Sequence, residues 1–259
     1  MAKISIGDKK ATIFKLGMMA AAAIALLSTC VGYFSWVIFA MIELSMDAEM
    51  VGILVVDFLS TAVSLLPHLL ILVYAFLFFG KKKARMGEAL VFGAAAVSLF
   101  VVAFFDTIDI LDELFRFIEH NRIEYFFEYG FVTIGDLIGM STNAILYVAA
   151  AVLVLLYGKK LRFPAYLIPL GIVAVSNLGG ILSAAWNAIK SVFNFDDIWY
   201  YLNNVVSSST DFWSQLLFLV AIVLVGLAPI LVKAPAEEAP VEEIPVEEPA
   251  EAEPVEVEA

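Results

Sequence analysis

Six long apolar runs, at residues 13–42, 51–79, 88–105, 131–157, 164–189 and 211–232, decide what this chain can fold into. A bilayer core of ~30 Å is crossed by ~20 residues of helix, and the six runs have that scale. The last three contain no Lys or Arg at all. They are too long for soluble strands, and too continuous for the in–out alternation of a membrane barrel. A helix satisfies its backbone donors and acceptors internally, as lipid demands. Composition agrees: 62% of the 259 residues are hydrophobic and the mean hydropathy is +0.93, against ~45–50% apolar in a soluble domain. The expected fold is an all-α membrane protein with six transmembrane helices. A cleaved leader is not expected, because Thr29 before Cys30 suits a lipoprotein-type site poorly and the apolar run continues beyond it.

Charge predicts the orientation. Lys3, Lys9, Lys10 and Lys15 precede the first run; Lys81, Lys82, Lys83 and Arg85 follow the second; Lys159, Lys160 and Arg162 follow the fourth; Lys233 follows the sixth. All of these fall on one side of the membrane, and only Arg116, Arg122 and Lys190 fall on the other. The positive-inside rule makes the basic side cytoplasmic, with both termini there. A bacterial-type cytoplasmic membrane, crossed several times, is the expected location. Acidic residues gather on the opposite side and in the tail, so a net charge of −12 conceals a polarised body.

The same spacing predicts a repeat. Lys9, Lys82, Lys159 and Lys233 recur at intervals of about 75 residues, each interval holding two apolar runs and an acidic connection. The turns "FGKKKAR" (79–85) and "YGKKLR" (157–162) are near copies. Three tandem hairpins are expected, with units of about 9–81, 82–158 and 159–233 in a transmembrane domain of residues 1–233. The acidic-side segment 106–120 places Ile108, Leu111, Phe115 and Ile118 on one helical face and charges on the other. It is expected to lie in the headgroup zone, with a cap over the bundle mouth as the competing arrangement. Segments 122–129 and 193–201 are aromatic, as interfacial belts are. Residues 234–259, with five prolines, ten glutamates and no basic residue, are expected to form a disordered cytoplasmic tail.

Candidate chemistry is sparse. Asp57, Asp136 and Asp211 lie 24, 23 and 22 residues before Lys81, Lys159 and Lys233. Three such hairpins would bring these carboxylates to a common depth at the acidic interface, where a ring of carboxylates attracts cations. Equally, each would begin an inward-running helix whose dipole favours an acid without any ligand. His68, after Pro67 in the second run, is an ionisable group inside the hydrocarbon: a proton relay or metal ligand, or a neutral imidazole bonded to a neighbouring helix. In the fifth run Ser176, Gly180, Ser183 and Asn187 form a small polar stripe with Asn177 and Gly179 beside it. It either lines a cavity or lets helices approach closely. Ser141, Thr142 and Asn143 in the fourth run are its expected partners.

One cysteine and two well-separated histidines give no disulfide and no metal motif. No cofactor, catalytic residue set or nucleic-acid surface is expected, and the chain is not read as an enzyme. The expected role is a subunit or scaffold of a membrane complex, touching lipid and a membrane-protein partner or a second copy of itself. The alternative is a transporter or cation-conducting protein using the three aspartates and the fifth-run stripe.

Overall fold

The computed structural model describes residues 7–43, 48–120, 131–157, 165, 167–193 and 198–232. The acidic tail 234–259, the aromatic stretch 122–129 and the turn around Gly158 lie outside the described residues. Among the described residues seven helices follow in order: α1 (Asp8–Glu43), α2 (Ala48–Ser64), α3 (Leu66–Leu77), α4 (Ala84–His120), α5 (Phe131–Tyr157), α6 (Leu167–Phe193) and α7 (Ile198–Leu231). Pro67 separates α2 from α3, because it lacks the amide hydrogen that would continue the ladder. The pair still counts as one apolar rod, Met50–Leu77. Six helical stretches are thus long and apolar enough to cross a membrane, which fits a multi-pass membrane protein.

Each helix packs against its neighbour in the chain, and α1 closes the ring by lying along α7. Antiparallel register along that closing seam is marked by Thr29 against Ser214, Ser35 against Asn203 and Phe39 against Tyr200. α7 also touches α3 and α4 across the ring. The core sits toward the basic end: Met18 and Ala22 of α1, Ile71 and Tyr74 of α3, Phe92 and Ala95 of α4, Tyr147 and Ala150 of α5, Val173 of α6, and Ile222 and Val225 of α7. Alanines supply much of it. Small side chains let helices approach closely where lipid, as apolar as the side chains themselves, offers no hydrophobic gain from burial.

Two backbone features fix the basic end. Gly80 turns the chain between α3 and α4 with φ +69°, a conformation that a Cβ disfavours. Gly226 of α7 presents bare backbone to Leu170 of α6, whose side chain fills the space a Cβ would take. Glu88 closes in on the same place, its Oε1 3.4 Å from that Cβ position.

Three expectations need correction. Segment 106–120 is not a separate helix lying on the membrane or capping the mouth: α4 runs through it as one helix to His120. No Gly or Pro lies between Gly93 and His120, so nothing breaks the ladder there. Ile198–Tyr201 likewise belongs to α7 rather than to a separate interfacial stretch. The aspartates do not begin helices: Asp57 falls in the middle of α2, and Asp211 lies well inside α7, far from Ile198. A helix dipole acts on the first turn only, so it does not explain either acid. Near the start of α4, Glu88 is fully buried inside the bundle and bonded to Arg85 at 3.2 Å.

Candidate functional site

The groups singled out in sequence do not converge on one centre. Asp57 is half-buried and accepts a hydrogen bond from Trp36 Nε1 of α1 at 2.9 Å. Beside it the Tyr33 hydroxyl donates to the Leu54 carbonyl at 3.4 Å, and the Tyr33 and Phe58 rings lie 6.1 Å apart. The carboxylate therefore clasps α2 to α1. Asp211 is exposed and accepts from Gln215 Nε2 of its own helix at 2.9 Å. Its flanking residues mark its level: Thr210 abuts Gly32, and Ser214 bonds Thr29 at 2.7 Å. Asp211 thus stands level with residues 29–32 of α1, whereas Asp57 stands level with Trp36. At 1.5 Å per residue the two differ in depth by about 6–10 Å. The side chain of Asp136 lies outside the described residues. The common depth expected of a three-carboxylate ring is not met by the two that are described.

The stripe of α6 divides in two. Ser176 is buried and donates to the Val173 carbonyl at 2.9 Å. Asn177 Nδ2 donates to the Tyr147 hydroxyl of α5 at 2.6 Å and to the Val173 carbonyl at 2.7 Å. Gly180 lets Gln215 of α7 come close: its Oε1 is 2.5 Å from a Cβ built at that glycine. This half of the stripe is helix packing. Ser183 and Asn187 lie on the exposed side of α6, near Leu182 and Trp186. The α5 partner is Tyr147, one turn beyond Asn143, and the structure gives Asn143 no hydrogen bond with the stripe. Tyr147 was not singled out from sequence, because a tyrosine in an apolar run carries no spacing signal.

His68 is buried in the bundle with 7% of its surface exposed. Its Nδ1 lies 3.1 Å from the carbonyl of Ser64, one turn earlier in the same rod. A carbonyl only accepts, so Nδ1 carries the hydrogen and Nε2 is the bare nitrogen. The ring packs on Phe218 of α7, with centroids 4.8 Å apart. The expected bond to a neighbouring helix is not made: Nε2 is buried without a hydrogen-bond partner.

Between the acidic-end halves of α1 and α7 lies a cleft of about 350 Å³, lined by Val31, Phe34, Ile38, Trp199, Leu202 and Val206, with the Ser35–Asn203 pair as its polar contact. Its lining offers no ionisable group for chemistry. Searches against known protein families, curated proteins and solved structures find no match for this chain.

Proposed function

We propose that this protein is a non-catalytic subunit or scaffold of a membrane complex, and that its acidic-end helical extensions are where a partner binds. One observation carries the reading. Helices α1, α4 and α7 have 36, 37 and 34 residues, so each is about 50–55 Å long, against a bilayer of ~40–45 Å with its headgroups. The apolar window of α4 ends at Phe105. Beyond it Ile108, Leu111 and Phe115 are exposed on a rigid helix at the membrane edge. An apolar ridge on a helix that stands out of the bundle fits a helix-in-groove contact with another protein.

In this reading the chain is three tandem hairpins in a bacterial-type cytoplasmic membrane, with the lysine-bearing turns and both termini in the cytoplasm. Support comes from the packing of α4 along α5, of α6 along α7, and of α1 on the α2–α3 rod. The basic residues at one end and acidic residues at the other support the orientation. Lipid and a membrane-protein partner, or a second copy, are the contacts it requires, and it uses no cofactor.

Purification of the full chain in mild detergent tests the proposal. A stable partner or oligomer should be recovered, and it should dissociate when Ile108, Leu111 and Phe115 are replaced together by glutamate while helicity is kept. A clean monomer that conducts cations in liposomes, and stops doing so when Asp57, Asp136 and Asp211 are all changed to asparagine, would replace this reading with transport.

A further inference from the structure

Pro67 and His68 stand at the break between α2 and α3. Around it the ladder is remade from both sides: Leu65 N–H donates to the Thr61 carbonyl and Leu69 N–H to the Leu65 carbonyl, both at 3.1 Å. The Ser64 hydroxyl donates back to the Thr61 carbonyl at 2.7 Å. The imidazole is tied into this same knot through Nδ1 and the Ser64 carbonyl, at 3.1 Å. Its other nitrogen points into the bundle, buried and unbonded, with Phe218 against the ring.

A buried acceptor without a donor is a standing cost that a phenylalanine of similar shape would avoid. Such a group calls for an explanation, and an ionisable one within a membrane span calls for a functional one. A metal ion needs several ligands, and no group of three His, Cys, Asp or Glu side chains is assembled among the described residues. A proton needs one lone pair.

Among the described side chains, several titratable groups on the helices packed against α3 have partners of their own. On α1, Lys15 lies over the Phe76 ring and Tyr33 bonds Leu54. Asp57 of α2 bonds Trp36, and Glu88 of α4 bonds Arg85. Asp211 of α7 bonds Gln215, and on α3 itself the Tyr74 hydroxyl donates to the Val225 carbonyl. None of them bonds Nε2.

We propose that His68 is a proton-binding site in the membrane interior, and that proton uptake at Nε2 opens the contact between α3 and Phe218 of α7 at the Leu65–Pro67 break. The proton comes from water and adds to the Nε2 lone pair; Nδ1 keeps its own, so the ring becomes a cation. A cation is excluded from a dry apolar contact, so its formation favours the arrangement in which water reaches the ring. The proline break is where α3 can swing with least loss of ladder bonds. The proposal stands independently of the partner reading above.

The full chain in lipid nanodiscs tests it. Cys30→Ser removes the native thiol, and Val73→Cys with Val220→Cys places spin labels on exposed positions of α3 and α7. Between pH 8 and pH 5 a second, longer distance should grow several-fold and reverse on return to pH 8. His68→Phe should abolish this change, and His68→Gln serves if the phenylalanine variant does not fold. Separately, His120→Gln leaves His68 as the one remaining histidine. Its imidazole nitrogen resonances should report Nδ1–H with bare Nε2 at pH 8 and both nitrogens protonated at pH 5. A ring still singly protonated at pH 5 overturns the proposal, as does a distance change that survives in the His68 variants.

Discussion

Asp57 separates a structural clasp from an ion site by one substitution. Its Oδ2 accepts from Trp36 Nε1 at 2.9 Å, across the α1–α2 seam. In water-soluble proteins a hydrogen bond to a charged group contributes about 1.5–3 kcal/mol. Between membrane helices, polar contacts average about 0.6 kcal/mol and reach about 1.7. Asp57 is half-buried toward the acidic end, so Asp57→Ala should cost about 1–2 kcal/mol. Asp57→Asn keeps an oxygen in the same place and should cost about 0.5 kcal/mol or less. Trp36→Phe removes the same bond from the other side together with some ring area. The double variant should therefore cost less than the sum of the two, with a coupling of about 1 kcal/mol. Reversible unfolding in mixed micelles, followed by far-ultraviolet ellipticity, measures all four proteins without depending on tryptophan emission. Strictly additive costs would show that the clasp does not hold the seam. An asparagine variant as damaged as the alanine one would show that the charge matters, as a cation site requires.

Two further perturbations probe the core. Gly226→Val places a side chain where Leu170 already sits and crowds Glu88; it should destabilise by about 1–3 kcal/mol through overpacking, and Leu170→Ala in the same protein should recover part of that loss in the same unfolding assay. Tyr147→Phe removes the acceptor of the 2.6 Å bond from Asn177 and should cost about 0.5–1.5 kcal/mol, whereas Asn143→Ala should cost less, since the structure gives Asn143 no bond to the stripe.

How much of this was legible in sequence follows from what each signal measures. Apolar length is a bulk property, so the six spans could be read directly from runs such as 131–157. Helix ends are local, and lipid removes their usual marks. The stretch from Phe105 to His120 changes from apolar to amphipathic with no Gly or Pro, so composition suggested a boundary while the backbone had no reason to end. Glu88 shows the converse. It follows the basic turn closely, but α4 has already begun at Ala84 and the acid lies on the face that α4 turns toward α7. The α6 stripe was drawn on too coarse an angle. Ser176 and Gly180 face neighbours while Ser183 and Asn187 are exposed. His68 was legible as an anomaly, but its unbonded nitrogen depends on which groups other helices bring, and no single-chain pattern contains that.

The unequal packing of the two ends argues about function in its own right. Buried alanines and the Tyr74, Phe92 and Tyr147 rings cluster toward the basic end. Large apolar side chains stay exposed at both ends; toward the acidic end they include Phe34, Ile38 and Met41 of α1, Val55 and Phe58 of α2, and Trp199 and Leu202 of α7. Lipid can cover such side chains only over its own thickness, and the longest helices exceed it by about 10 Å. A bundle stabilised mainly at its basic end needs no such length for its own sake, since α5 and α6 pack well at 27 residues each. In the proposed reading the additional turns of α1, α4 and α7 serve a partner, whose surface complements their apolar faces better than water does.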